Sequence, residues 1–319
     1  MGRLRPLYSG DGRFLLIGFM KYTLLIFSTL GAGIAFSQDR DLTKDNKQLP
    51  TVAEANLPEL SNKVEPFKGI IGHKELQGHT FVKFPFVENG ASLDIDPQGR
   101  IYVGETNRFW LGVPDLRGAN RMIREDFQAK TVQDRLDMYE RHKDFFPKGW
   151  LTNAADRIVR LEDRDGNGAA DHRTLFSDHF RQAESGIGFS ILAERDAVYF
   201  TCIPAVWKMT DANDDGVADT HDKVVDGFGV RVSFIGHDLH GIIRGPDGRL
   251  YFSIGDRGFN VTTKEGKTQS ASGRGAIFRC DDDGSNFEVF AHGLRNPQEL
   301  TFDDHGNLFT FDNTGDIGD

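Results

Sequence analysis

Cysteine is almost missing from this chain, with 2 residues in 319. That count rules out a scaffold built on a disulfide framework. Cys202 and Cys280 can form at most one bridge, or stand apart as small buried hydrophobes. Neither lies in a CxxC or CxxCH arrangement, so no haem-attachment motif is present. A basic excess is lacking too: 38 Lys and Arg face 48 Asp and Glu, for a net charge of −10. With no positive face to neutralise phosphates, nucleic acid is excluded as an expected partner. Proline is modest at 11, whereas glycine reaches 36 and phenylalanine 26. Frequent glycines and aromatics around short apolar runs predict an all-β, turn-rich architecture.

Long apolar runs are scarce, and the one that stands out is Tyr22–Phe36, just after Met20-Lys21. A basic start, a short apolar stretch, and Ala35 and Ser37 at −3 and −1 predict a secretory signal peptide. Its 15 apolar-region residues fall short of the roughly 20 needed to span a bilayer. Met20 is the better start, which makes 1–19 an upstream extension and 1–37 a segment absent from the mature chain. The mature protein is then expected to be exported, periplasmic or extracellular, with no stable membrane span. Residues 38–66 are polar and aperiodic, as in a linker, and 67–319 is expected to form the folded domain.

Within that domain one phrase recurs. Ala91-Ser-Leu-Asp-Ile-Asp-Pro-Gln-Gly-Arg-Ile-Tyr-Val is followed by LAERDAVYFT (192–201), RGPDGRLYFS (244–253) and FDDHGNLFTF (302–311). Each is a strand, a turn and a second strand. The last three copies recur at intervals of roughly 50–60 residues, the scale of a β-propeller blade. The texture changes between about 108 and 150, where Phe127, Val132, Leu136, Met138 and Tyr139 fall at helical spacing. One amphipathic helix over 128–143 is expected there, as a lid or packing element projecting from the rim.

Two acidic loops share the pattern D-x-[DN]-x-[DN]-G-x-x-D: Asp163, Asp165, Asn167 and Asp171, then Asp211, Asn213, Asp215 and Asp219. Oxygen ligands at positions 1, 3, 5 and 9, with glycine at 6, match the first part of a calcium loop. Thr174 and Asp222 stand where an EF-hand has its bidentate Glu, so the loops are either calcium sites of another kind or ion-free Asx turns.

Candidate chemistry gathers in two stretches. His237 and Asp256 are separated by one GPDG turn, so a hairpin can pair them and make the imidazole a better base; the alternative is a loop histidine beside a turn-capping aspartate. Arg295, Asn296 and Gln298 offer a planar cation and orienting amides. Asp312 to Asp316 adds oxygens suited to a hard cation.

The strings H-x-x-x-G-x-x-x-G-P-D-G-x-L-Y-x-x-x-G-D-x-G and G-x-R-N-P-Q-x-L resemble the soluble quinoprotein glucose dehydrogenase and sorbosone dehydrogenase family. GHDLHG, GDRGFN and LRNPQEL are more similar still to large exported bacterial proteins described as membrane-bound dehydrogenases. The resemblance spans roughly 91–319 and implies a six-bladed propeller, incomplete here, that binds pyrroloquinoline quinone and calcium. It implies His237 as the base, Asp256 as its orienting carboxylate, and Arg295 and Asn296 as quinone contacts. Thr314 and Gly315 would lie near the calcium, which would polarise the quinone carbonyls. A sugar or alcohol would be the substrate, and a cytochrome the possible electron acceptor. His240 stands where the better-known members have Gly, and is a second candidate for the base. With about four recognisable blades, the chain is expected to be part of a longer product. The competing expectation is a non-catalytic, calcium-stabilised propeller that binds carbohydrate or a protein partner. A lactonase-like hydrolase would fit the acidic loops but leaves the RNPQ cluster without a role.

Overall fold

The computed structural model describes residues 39–44, 54–60, 63–66 and 78–313. A short pair, Glu65–Pro66 (β1) with His79–Thr80 (β2), precedes the main body. The first four-stranded antiparallel sheet comprises Gly90–Ile95 (β3), Ile101–Glu105 (β4), Asp156–Glu162 (β5) and His172–Phe180 (β6). The second comprises Ile191–Ala193 (β7), Val198–Cys202 (β8), Ala205–Thr210 (β9) and Thr220–Asp226 (β10). The third starts with Leu239–Arg244 (β11) and Leu250–Ile254 (β12). A side hairpin, Phe259–Thr262 (β13) and Thr268–Ala271 (β14), intervenes before Gly275–Cys280 (β15) and Glu288–Leu294 (β16) complete it. Pro297–Phe302 (β17) and Leu308–Asp312 (β18) form a two-stranded fourth sheet.

The architecture is a β-propeller. Strands β3, β7, β11 and β17 are the inner strands and neighbour one another in that order. The repeated phrase of the sequence is therefore the inner and second strands of each blade. The second strands β4, β8 and β12 are buried along their whole length, because β8 and β12 are covered on both faces by neighbouring blades and β4 is covered by blade two on one face and by Phe81, Val82 and Phe86 on the other. Phe228, Phe252 and Phe278 fill the space between blades two and three, with Phe228 edge-on to both partners at 5.6 and 5.2 Å. The inner turns of blades one, three and four reuse one solution. Gly99, Gly248 and Gly306 have φ of 84°, 82° and 82°, a left-handed conformation in which a Cβ would be strained.

In each blade, the inner turn and the loop between the third and fourth strands lie at one end. The acidic loops 163–171 and 211–219 lie there. The segments that enter the inner strand and leave the second strand lie at the opposite end, and these carry His237, Asp256, Arg295 and Asn296. The helical insertion joins β4 to β5 at that same end. It contains Ile123–Asp126 (α1) and Val132–Arg141 (α2), the latter shorter than the single helix expected over 128–143. Thr131 and Asp134 cap α2 reciprocally and fix its start. Its inner face is Arg135, Met138 and Tyr139, while Phe127 is 62% exposed outside the helix. Arg135 takes a core position because its guanidinium is satisfied by Gly229 O (2.7 Å) and Glu184 O (2.9 Å). The insertion thus lies across the loops of blades two and three instead of projecting from the rim.

Parts of the polar stretch before the domain also rest on the body. Leu42 is buried, Arg40 stacks on Trp110 at 4.3 Å, and Glu54 pairs with Arg173. The signal-peptide expectation falls on residues 1–37, outside the described residues. Among the described residues no helix is long and apolar enough to cross a membrane.

Candidate functional site

The third blade positions the central pair. Strand β11 runs antiparallel to β12 with Leu239 opposite Ile254, so extending that register by two rungs sets His237 against Asp256. His237 Nδ1 lies 2.8 Å from Asp256 Oδ1, and the two side chains keep 9% and 23% exposure. One residue further along each strand end, Asp238 and Arg257, again 19 residues apart, pair through their side chains at 2.6 Å with both fully buried. Successive side chains of a strand point to opposite faces, so one hairpin end carries a sealed ion pair on one side and a partly open His–Asp pair on the other.

Asp256 is also the acceptor for Ser233 Oγ. Burial pushes its carboxyl upward, but the hydrogen bonds from His237 and Ser233 and the charges of His237 and Arg295 outweigh that and hold it below the usual carboxylate range. An anionic Asp256 accepts the Nδ1–H of a neutral imidazole, leaving Nε2 as the basic nitrogen. Nε2 has no hydrogen-bond partner among the described residues. His240 is arranged differently. It is 2% exposed, its Nε2 donates to Gly236 O at 2.9 Å, and its ring leans on Phe189. Burial lowers its pKa to about 4, so the ring is neutral in ordinary buffers.

Arg295 and Asn296 come from the loop that enters β17. Asp312, at the end of β18, fixes both by accepting Arg295 N at 2.9 Å and Asn296 N at 2.7 Å. Arg295 Nη1 donates to Asn313 O. Asn296 is 1% exposed and donates from Nδ2 to Gly236 O at 3.3 Å, while its Oδ1 is buried with no partner among the described residues. A Cβ on Gly255 would lie 2.8 Å from both Asn296 Oδ1 and His237 Cβ, so the absence of a side chain there lets Asn296 approach the His–Asp pair. The structure therefore brings His237, Asp256, Arg295 and Asn296 to one place. Gln298 is partly exposed on β17. Thr314 and Gly315 lie outside the described residues.

The acidic loops sit at the far end, between β5 and β6 and between β9 and β10. In the first, Asp163, Asp165 and Asp171 bring one oxygen each within 4.8 Å of one another. Asn167 is the fourth member, its Oδ1 accepting from Ala169 N. In the second, Asp211 is paired with Arg160 at 2.9 Å. Asn213, Asp215 and Asp219 accept backbone N–H groups of their own loop. The same position in blade three holds Asp281, Asp282 and Asp283, a shorter turn that the nine-residue pattern does not find.

Cys202 and Cys280 are both buried free thiols, on the second strand of blade two and the third strand of blade three. Burial raises the pKa of each, Cys280 to about 12, so both are packing groups. Pattern reasoning passed over Ser233, Asp238 and Arg257. The last two were visible in principle, because GHD and GDR repeat the spacing of the His–Asp pair one residue on; Ser233 has no such signal.

A family profile described as a domain of unknown function (DUF7133) matches residues 65–318. A search of curated proteins finds no match. Among solved structures, a nidogen/laminin complex is similar at 14% identity and a TM-score of 0.40, covering 73% of this chain and 59% of that one. The PQQ-bound aldose sugar dehydrogenase of Streptomyces coelicolor is similar at 18% identity and a TM-score of 0.39, covering 70% and 56%. A protein described as an oxidoreductase (glucose dehydrogenase) from Thermus thermophilus is similar at 17% identity and a TM-score of 0.37, covering 70% and 57%. The chain thus spans less than two thirds of the length of each.

Proposed function

The chain belongs to the family described as a domain of unknown function (DUF7133), and from its site we propose that it is an exported quinoprotein-type dehydrogenase of a sugar or alcohol hydroxyl. The observation that carries this reading is the His237–Asp256 pair at 2.8 Å, with Nε2 unpaired among the described residues and Arg295 and Asn296 alongside. His237 is preferred to His240 as the base because Nε2 of His240 is already committed to Gly236 O.

The residues present fit pyrroloquinoline quinone in one checkable respect: Asn296 Oδ1 has no donor among the described residues, and Arg295 suits an anionic, planar group. Arg295 and Asn296 would hold the cofactor. When bound, the quinone supplies the acceptor for the hydride released from the carbinol carbon. His237 Nε2 takes the hydroxyl proton. Asp256 keeps the ring in the required tautomer and balances the charge of the imidazolium that forms. The insertion across this end limits access of water to the pair. Electrons would pass onward to an acceptor such as a cytochrome.

A second reading is a calcium-stabilised propeller that binds carbohydrate or a protein without turnover. It is favoured by the three converging carboxylates of the first acidic loop, remote from His237. One experiment separates the two. The protein is mixed with calcium and the quinone, binding is followed by absorbance and calorimetry, and dye reduction is assayed with aldoses and alcohols. Quinone binding with turnover lost by about 10²–10⁴-fold in His237→Ala is the expected result. Calcium binding without quinone binding overturns the first reading in favour of the second.

A further inference from the structure

The segment that leads into the His–Asp pair is held from above. Val232 is fully buried against the insertion, and its N–H donates to Asp126 Oδ1 at 2.6 Å. Ser233 O accepts Leu116 N at 3.0 Å. Ile235 N donates to Asp115 Oδ2 at 2.9 Å. Three positions of this segment thus take a fixed geometry from 115–126, and Ser233 sits among them with φ of 45°, a conformation a non-glycine residue keeps only when its surroundings hold it there. From that backbone two side chains reach the pair. Ser233 Oγ donates to the same Asp256 oxygen that His237 uses, and the Phe234 ring stands edge-on to His237 at 5.6 Å.

We propose that Ser233 is a positioning residue through which the helical insertion sets the orientation and proton affinity of the His237–Asp256 pair. The proposal deepens the dehydrogenase reading by naming what tunes its base. A hydroxyl donating to a carboxylate spreads the negative charge away from the second donor. Asp256 then stays anionic yet binds the imidazolium less strongly than a bare carboxylate would. The charged and titratable groups around the pair are Arg295 from the β17 loop, Asp238, Arg257 and His240 from the same hairpin, and Asp115, Arg117 and Asp126 from the insertion. None of these replaces the Ser233 donor at Asp256 Oδ1.

The test is an NMR titration of the imidazole in the protein without cofactor, with His237→Asn used to assign the signal. In Ser233→Ala the His237 titration should move upward by about 0.5–1 pH unit. Ser233→Gly removes the same hydroxyl but accepts the positive φ without strain, so it should show the same movement with no loss of stability. In the loaded protein, the acid limb of the pH–rate profile should follow. If both variants titrate as the parent does, whatever their stability, Ser233 is merely structural and the proposal falls. Because the titration needs neither quinone nor turnover, it stands or falls apart from the dehydrogenase reading: a moved titration in a protein that binds no quinone sinks that reading alone.

Discussion

Blades one and three end their second strands alike, with Gly104-Glu105 in one and Gly255-Asp256 in the other. In each case the carboxylate faces the segment that enters the inner strand. Glu105 is fully buried, accepts Glu88 N at 2.8 Å and takes Arg157 Nε at 2.8 Å. Asp256 keeps a quarter of its surface and has no backbone donor among the described residues; its partners are an imidazole and a hydroxyl. Asp312 of blade four, which accepts two backbone N–H groups, resembles Glu105 in this respect. The lesson is that a fold-closing carboxylate becomes a chemical one when side chains that can titrate or rotate replace its backbone donors.

The sharpest way to break this comparison is to remove each acid. Glu105→Ala leaves the buried Arg157 short of a counter-charge and Glu88 N without an acceptor. Losing one partner of a buried pair costs about 3–5 kcal/mol. Glu88 also contacts Arg157 at 3.4 Å, which places the expected loss at the lower end of that range. Asp256→Ala should cost under about 1.5 kcal/mol, while abolishing measurable dye reduction. Urea unfolding of both variants checks this, and equal losses would mean that Asp256 is a structural cap like its counterpart.

Acidification should separate the same two blades. Three residues before each acid, Tyr102 pairs with Asp94 and Ser253 pairs with His240, so Asp94 and His240 occupy matching rungs. Burial raises the pKa of Asp94 and lowers that of His240 from 6.5 to about 4. For His240 the unfolded chain takes up the proton first. Its contribution is complete above pH 6.5 and is lost as pH falls toward 4, a change on the order of 3 kcal/mol. For Asp94 the sign reverses: its contribution is present at low pH and is lost as pH rises through the elevated folded pKa. His240→Gln keeps a donor for Gly236 O and cannot titrate, so the variant should lose less stability than the parent between pH 6.5 and 4. Parallel stability curves would show that the His240 ring already accepts a proton in the folded protein.

Much of the blade architecture was legible in the chain, since the inner and second strands carry the recurring phrase and its turn glycines hold nearly equal φ angles. The His–Asp pair was legible for a local reason, being two ends of one hairpin. Asn296 and Arg295 were legible as a cluster, but not their distance from His237, which depends on how blade four packs beside blade three. Helix α2 shows the other limit. Apolar spacing counted Phe127 with the buried stripe, yet a buried arginine at 135 took the central place because backbone carbonyls 49 and 94 residues away satisfy it. Ser233 was silent for the same reason: its importance comes from an insertion more than 100 residues earlier that clamps its neighbours.

The smallest expected effect concerns the glycines before the two acids. Neither needs a positive φ, so in both an added methyl acts through contact alone. At Gly104 the Cβ would meet Ser92 Oγ at 2.8 Å and Phe200 and Ile191 at 3.2 and 3.3 Å, which is core. At Gly255 it would meet Asn296 Oδ1 and His237 Cβ, each at 2.8 Å, which is the candidate site. Overpacking of this kind costs about 1–3 kcal/mol, so Gly104→Ala and Gly255→Ala should lower stability by similar amounts. Their effects on the site should differ. Gly255→Ala must displace His237 or Asn296, so quinone affinity and turnover should fall together. Gly104→Ala should leave both within about twofold once the folded fraction is accounted for. If Gly255→Ala keeps full quinone affinity, Asn296 and His237 do not share a ligand, and the site is smaller than the four side chains assigned to it.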